Sequence, residues 1–184
     1  MQFQATALDG VHVIHLEPIR DSRGFFARTF CVEEFSTRGL ETHYPQHSVS
    51  FSARKGTLRG MHYQRPPYSE VKLIRCLSGA IWDVLIDIRP GSPTYGRWQS
   101  FELSSANGYQ LYVPKGLAHG FQTLSDDVQV NYLISEPHVP HAACGIRYND
   151  PKFAISWPLP ISEISMKDLQ WPDFVGDSRE IRRG

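Results

Sequence analysis

Gly56-Thr-Leu-Arg-Gly-Met-His-Tyr-Gln64, with Lys72 a short way on, is the stretch from which the rest of the chain is read. It brings a phosphate-type anion binder (Arg59), a titratable base (His62) and a mobile cation (Lys72) close together in a strand-turn-strand unit. Gly56 and Gly60 keep the backbone open for close approach to a ligand. A proton acceptor beside a group that stabilises the resulting negative charge is what carbanion or enolate chemistry needs. A histidine in a strand is more often a satisfied core residue, and His62 alone would be read so. The company of Arg59 and Lys72 tips the reading towards chemistry. Period-two counting puts Leu58, Gly60, His62 and Gln64 on one face and Arg59 on the other. A bulge or a second subunit would reconcile the two for one ligand.

Working outward, Pro66-Pro67 ends that strand, and Lys72, Ile74 and Cys76 share a face of the next, which turns at Ser78-Gly79. Ala80-Ile-Trp-Asp-Val-Leu-Ile-Asp-Ile-Arg89 is the clearest strand. Trp82, Val84, Ile86 and Ile88 form one apolar face, and Asp83 and Asp87 lie opposite with Ile81 and Leu85. An acid on such a face either orients a His or Lys or forms a paired surface charge. Further strands are expected at Val11–Leu16, Gln46–Ser52, Trp98–Leu103, Tyr109–Val113 and Val128–Ile134, where Tyr132 shares a face with Val128 and Val130. Cys31–Leu40 reads as a short helix stopped at Gly39. Asp21–Phe26 reads as a turn, Pro114–Gly120 as a tight turn ending on His119, and Glu136–Trp157 as irregular. Eight to ten short strands punctuated by 13 Pro and 14 Gly describe an all-β sandwich or jelly roll.

The totals exclude several classes. With 184 residues the chain is expected to be one domain with its own core. Nineteen Lys and Arg balance nineteen Asp and Glu, which gives no bulk electrostatic case for nucleic acid or an anionic membrane. No apolar run is long enough for a bilayer. Met1-Gln-Phe-Gln-Ala-Thr has neither the basic start nor the apolar core of a signal peptide. Three widely spaced cysteines fit neither a disulfide framework nor a zinc knuckle, and a reducing cytoplasm is the expectation.

Gly60-x-His62 and Pro114-x-Gly-x-x-His119 resemble the two motifs of the cupins, small double-sheet β barrels. Many cupins hold a metal through His-x-His, a Glu and a later His. Here the pair reads His62-Tyr63-Gln64, leaving Glu70 and His119 as a poor remainder. No metal or other cofactor is expected, and Lys72 is the candidate to stabilise an oxyanion.

Arg59-Gly-Met-His-Tyr-Gln64, Lys72, Asp83-Val-x-x-Asp87-x-Arg89, Gly91-Ser-Pro-Thr-Tyr95, Pro114-x-Gly-x-Ala-His-Gly-Phe121, Tyr132 and Ser165-x-Lys-Asp168 together resemble the dTDP-4-dehydrorhamnose 3,5-epimerase family. The likeness runs in order from about residue 5 to 175 and includes Asp21-x-Arg-Gly-x-Phe26, Asn149-Asp-Pro151 and Trp157-Pro158. It implies a jelly-roll cupin (a double-stranded β-helix) with short peripheral helices over residues 1–175, a homodimer, and no metal; residues 176–184, charged and glycine-terminated, are expected to form a flexible tail. It implies a nucleotide-diphosphate 4-keto-6-deoxyhexose as substrate. It assigns His62 as the base, Asp168 as its orienting partner, Lys72 to the enolate oxygen and Tyr132 as the opposing acid. Arg59, His119, Arg23 and Lys167 match substrate-binding positions. Departures gather at the nucleotide end: Arg28 stands where the family usually has Glu, Ser48 where it has Asn, His138 where an aromatic stacks on the base, and Ala142 or Ala143 where an acid is usual. A CDP- or GDP-linked sugar, or inversion at one carbon only, is the alternative within this chemistry. A metal-dependent cupin and a non-catalytic sugar-nucleotide binder are the alternatives outside it.

Overall fold

The computed structural model describes residues 1–176. The chain begins with β1 (Gln2–Ala5) and β2 (His12–His15), then a small hairpin, β3 (Ile19–Asp21) and β4 (Gly24–Phe26), and a helix, α1 (Val32–Ser36). Eight strands follow: β5 (Gln46–Ser52), β6 (Thr57–Gln64), β7 (Lys72–Ser78), β8 (Ala80–Asp87), β9 (Trp98–Ser104), β10 (Gln110–Val113), β11 (Leu117–Thr123) and β12 (Val128–Ile134). The last part adds β13 (Ala143–Gly145), β14 (Glu163–Ile164) and α2 (Met166–Leu169).

Two sheets face each other, one ordered β1-β2-β10-β7-β12-β5, the other β13-β6-β11-β8-β9 with β14 added to β6 in parallel. The chain passes back and forth between them, so β7 lies between β10 and β12, and β11 between β6 and β8. This is a double-sheet jelly roll of cupin type.

The alternation of β8 explains the layering. Ile81 and Leu85 point between the sheets and join Ile74, Leu111, Phe121 and Val130 in the central core. Val84 and Ile86 point outward, with Trp82 beside them, and the C-terminal segment covers them through Ile146, Phe153, Ile155 and Trp157. Both faces of the strand are thus buried. Truncating a fully buried residue such as Leu85 to Ala costs about 2–5 kcal/mol. A third cluster around Phe35 of α1 covers the outer face of the first sheet at Ile14, Leu73 and Tyr112.

One irregularity shapes the cavity. β6 and β11 pair at His62↔His119 and again at Arg59↔Phe121, three steps on one strand against two on the other. The extra residue is a β-bulge at Gly60-Met61, and it reverses the side-chain parity of β6. Gly60 sits at φ +125°, and a Cβ there would lie 2.5 Å from the Cα of Gly120. A Cβ on Gly120 would in turn meet the Met61 Sδ at 2.6 Å. Only a glycine facing a glycine lets the two backbones cross this closely.

Several local expectations change. Among the described residues, fourteen β segments replace the eight to ten expected, because β1, the β3–β4 hairpin, β13 and β14 are four residues or fewer and show no clear period. The helix expected over Cys31–Leu40 is only Val32–Ser36; the chain then turns back through Gly39 (φ +67°), with Leu40 N–H reaching the Phe35 carbonyl. His119 lies in the middle of β11 rather than at the end of a turn, since the turn is complete by Gly116. Of the tail expected over 176–184, residues 177–184 lie outside the described residues.

Candidate active site

A cavity of about 1000 Å³ opens between the sheets and is lined by Arg59, His62, Lys72, His119, Tyr132 and Asp168, with Ser48 and Lys167 at its walls. The bulge is why β6 supplies both Arg59 and His62 to it. A side cavity of about 240 Å³ adjoins it, and His62, Lys72, Ile134 and Lys167 line both.

His62 Nε2 lies 2.6 Å from Asp168 Oδ1. Asp168 arrives from the C-terminal segment, where Ser165 caps α2 and its Oγ accepts the Asp168 N–H at 3.1 Å. The Trp171 indole donates to Oδ1 at 3.1 Å and the Gly60 N–H to Oδ2 at 3.3 Å. Burial opposes the charge of Asp168. The bond and charge of His62 together with the Gly60 and Trp171 donors outweigh it, and the carboxyl is held below the ordinary range. A ring whose Nε2 is committed to a carboxylate keeps Nδ1 as its free nitrogen, a fixed tautomer with the lone pair on the other side.

The opposite sheet supplies Tyr132. Its ring packs against the central core, and its hydroxyl lies 3.4 Å from Ser50 Oγ. Burial, reinforced by the negative charge of Asp83, pushes the phenol well above its ordinary range and keeps it protonated.

His119 faces His62 directly across the β6–β11 pair and forms a second histidine–aspartate pair, Nε2 to Asp83 Oδ2 at 2.7 Å. Asp83 is fully buried. Desolvation raises its pKa, while His119 and Lys72 pull against the rise. Lys72 Nζ lies 3.0 Å from Glu70 Oε1, with both side chains largely buried. Arg59 is preset against β5, Nε donating to Ser52 Oγ at 3.0 Å and Nη2 to the Phe51 carbonyl at 2.7 Å.

The structure therefore brings His62, Lys72, Tyr132, Asp168, Arg59, His119, Ser48 and Lys167 to one cavity. His138 lines the side cavity instead, with Ala143. Arg23 lines neither cavity: it projects from the β3–β4 hairpin, exposed and paired with Asp21 at 2.6 Å. The acid expected to orient a His or Lys on β8 is Asp83, and His119 is its partner. Trp171 and Glu70 were missed as contributors. Nothing periodic marks Trp171, whereas Glu70, two residues before Lys72 on an extended segment, was legible as a same-face neighbour.

Gln64, where a metal-binding cupin would have its second histidine, is fully engaged elsewhere. Its Nε2 donates to the carbonyls of Tyr68 and Pro137, and its Oε1 accepts the Val139 N–H. Among the described residues no group of three or more His, Cys, Asp or Glu could hold a metal ion.

Proton movement at a carbon held in the cavity is the chemistry these groups are equipped for, and fold and site together define an isomerase of cupin type. Comparison with known proteins narrows the class. A family model described as dTDP-4-dehydrorhamnose 3,5-epimerase matches residues 5–175. The Sinorhizobium fredii dTDP-4-dehydrorhamnose 3,5-epimerase is 40% identical over 95% of this chain and 90% of its own. The crystal structure of the Legionella pneumophila dTDP-6-deoxy-D-glucose-3,5-epimerase in complex with dTDP-4-keto-L-rhamnose superposes with a TM-score of 0.87 at 35% identity, covering 94% of this chain and 92% of that one. ChmJ, a 3'-monoepimerase from Streptomyces bikiniensis crystallised with dTDP-quinovose, gives 0.85 at 31% identity, covering 91% and 85%. The chain belongs to the dTDP-4-dehydrorhamnose 3,5-epimerase family, and it is an isomerase.

Proposed function

We propose that this enzyme inverts C3 and C5 of a dTDP-linked 4-keto-6-deoxyhexose without a metal. The observation that carries the reading is the placement of His62, on one sheet and paired with Asp168 of α2, and the protonated Tyr132 on the other sheet, across a single cavity. C3 and C5 both flank the C4 ketone, so loss of a proton from either gives an enolate on the same oxygen. His62 Nδ1 takes the proton, and Lys72 stabilises the oxygen. Tyr132 returns a proton to the opposite face of the carbon, which inverts it. The imidazolium and phenolate left behind exchange with solvent to reset. The commitment of both histidine Nε2 atoms to aspartates, and of Gln64 to its loop, supports catalysis without a metal.

Arg59, Lys167, His119, Ser48 and His138 are assigned to the nucleotide diphosphate, with the Arg59 fork suited to phosphate oxygens. Arg23 points away from its own cavity on a hairpin whose Ile19, Phe25 and Phe26 are exposed, and the edge strand β5 exposes Val49 and Phe51. Both features support a homodimer in which the hairpin reaches a second copy. The family match over residues 5–175 supports one epimerase domain over 1–175. No helix among the described residues is long and apolar enough to cross a membrane, and we place the enzyme in the cytoplasm.

Two specific observations favour narrower variants. The similarity to a 3'-monoepimerase supports inversion at C3 alone, and Arg28, Ser48, His138 and Ala142 or Ala143 support a nucleotide other than dTDP. Mass spectrometry in D₂O with dTDP- and CDP-linked 4-keto-6-deoxyglucose tests all three. Two deuterons taken up establish chemistry at both carbons, one establishes a single-site epimerase, and none with either nucleotide overturns the proposal.

A further inference from the structure

Lys72 sits in the partition between the two cavities, while Glu70 faces only the smaller one. Its carboxylate therefore approaches the ammonium from the flank away from the main cavity. The two residues are neighbours on one face of an extended segment, and the residue between them is fixed. Val71 N–H donates to Ser135 Oγ at 2.8 Å, and the Val71 carbonyl accepts the Ser135 N–H at 3.0 Å. Ser69 is fixed as well, its hydroxyl donating to the Gln64 carbonyl at 3.1 Å. Glu70 thus stands on an immobilised backbone, while Lys72 reaches out on a flexible four-carbon stem. The Glu70 side chain is only 8% exposed, and its Oε2 is buried with no hydrogen-bond partner. Lys72, at 3.0 Å from Oε1, is the polar contact that the carboxylate makes among the described residues. Asp83, on the inner face of β8, acts on the same ammonium from the core side through its charge.

A lysine ammonium on its own is a poor fixed electrode, because its stem has many rotamers and its charge is costly in a largely buried position. We propose that Glu70 is a positioning residue for catalysis: it holds the Lys72 ammonium stationary in the partition, so that the enolate oxygen meets a preorganised cation. The proposal rests on the reading of Lys72 as the group that stabilises the enolate. It assigns Glu70 no contact with substrate, and its buried, shielded Oε2 offers none.

The test is a double-mutant cycle on the full chain, read by deuterium wash-in from D₂O into dTDP-4-keto-6-deoxyglucose, with binding of thymidine diphosphate measured separately. Lys72→Gln is expected to slow exchange by about 10²–10³-fold, the scale of a lost oxyanion donor. Glu70→Gln is expected to slow it by about 10–10²-fold, the scale of a misplaced catalytic group. Thymidine diphosphate should bind unchanged to both. The double variant should be no slower than Lys72→Gln alone, and Glu70→Asp, which keeps the charge, should recover part of the rate. Additive losses in the double variant, or a Glu70→Gln enzyme as fast as wild type, overturn the proposal. Full activity in Lys72→Gln overturns instead the role of Lys72, which separates the two failures. A Glu70→Gln chain that does not fold leaves the decision to Glu70→Asp and the double variant, whose neutral pair removes the uncompensated charge. A double variant slower than Lys72→Gln alone, or wild-type exchange in Glu70→Asp, then overturns the proposal.

Discussion

Asp83 and Asp87 are four residues apart on the same inward face of β8, both fully buried, and their surroundings treat them in opposite ways. Asp87 lies at the closed end of the barrel. It accepts hydrogen bonds from Arg89 Nε and Nη2, Ser92 Oγ and Thr94 Oγ1, at 2.6–3.0 Å. Burial opposes its charge, but this ring of donors prevails and holds its pKa at about 2. Asp83 lies at the cavity end, where its Oδ2 takes His119 and its Oδ1 has no partner; there burial prevails and the pKa rises. The closed end is a satisfied polar network that ties the Arg89–Thr94 loop to the barrel. The open end holds two carboxylates, Asp83 and Glu70, each with an unpartnered oxygen, which a stable core would avoid and an electrostatic site can use.

The largest effect that would sharpen this contrast is at the open end. His62→Ala should lower exchange at both carbons by about 10²–10⁴-fold while leaving the melting temperature near wild type; substantial residual turnover would refute the base assignment. Tyr132→Phe should follow, with inversion impaired more than proton removal, seen as deuterium entering substrate that keeps its configuration. At the closed end the expected loss is in stability. A pKa lowered from 3.8 to about 2 corresponds to about 2–3 kcal/mol. The stabilisation is present above about pH 4 and disappears as pH falls towards about 2, because the unfolded chain takes up the proton first. Asp87→Asn should therefore remove about 2–3 kcal/mol at pH 7, with kcat unchanged. The smallest effect belongs to Asp83→Asn, whose raised pKa marks a charge that folding disfavours at neutral pH. Its stability should stay within about 1 kcal/mol of wild type or rise. A loss as large as that at Asp87 would erase the distinction between the two ends.

Much of the barrel was legible because its strands obey a period. The β8 pattern separated the inner pair Ile81 and Leu85 from the outer Trp82, Val84 and Ile86, and Tyr132 was correctly grouped with Val128 and Val130. Strict alternation set Arg59 against His62, because a bulge shows in the sequence only as a glycine. Its necessity is visible once Gly60 is seen against Gly120, sixty residues away in the chain. Asp168 could be linked to His62 only through family resemblance, since no periodicity relates a four-residue helix to a strand on the far side of the chain. The Ser165 cap shows locally where α2 starts, but not what it faces. Arg23 and the hairpin carrying it have no interior in a single chain, so hydrophobic patterning had nothing to register.

The His62–Asp168 contact joins residues 106 positions apart. During synthesis, at about 5–20 residues per second, the histidine leaves the ribosome's catalytic centre about 5–20 s before its partner is made. The strands that carry Lys72 and Tyr132 are both translated within that interval, and α2 closes the dyad last. A chain still being made thus holds His62 without its carboxylate partner, its tautomer unset, and the pair is completed late, as a sign that translation has passed the barrel.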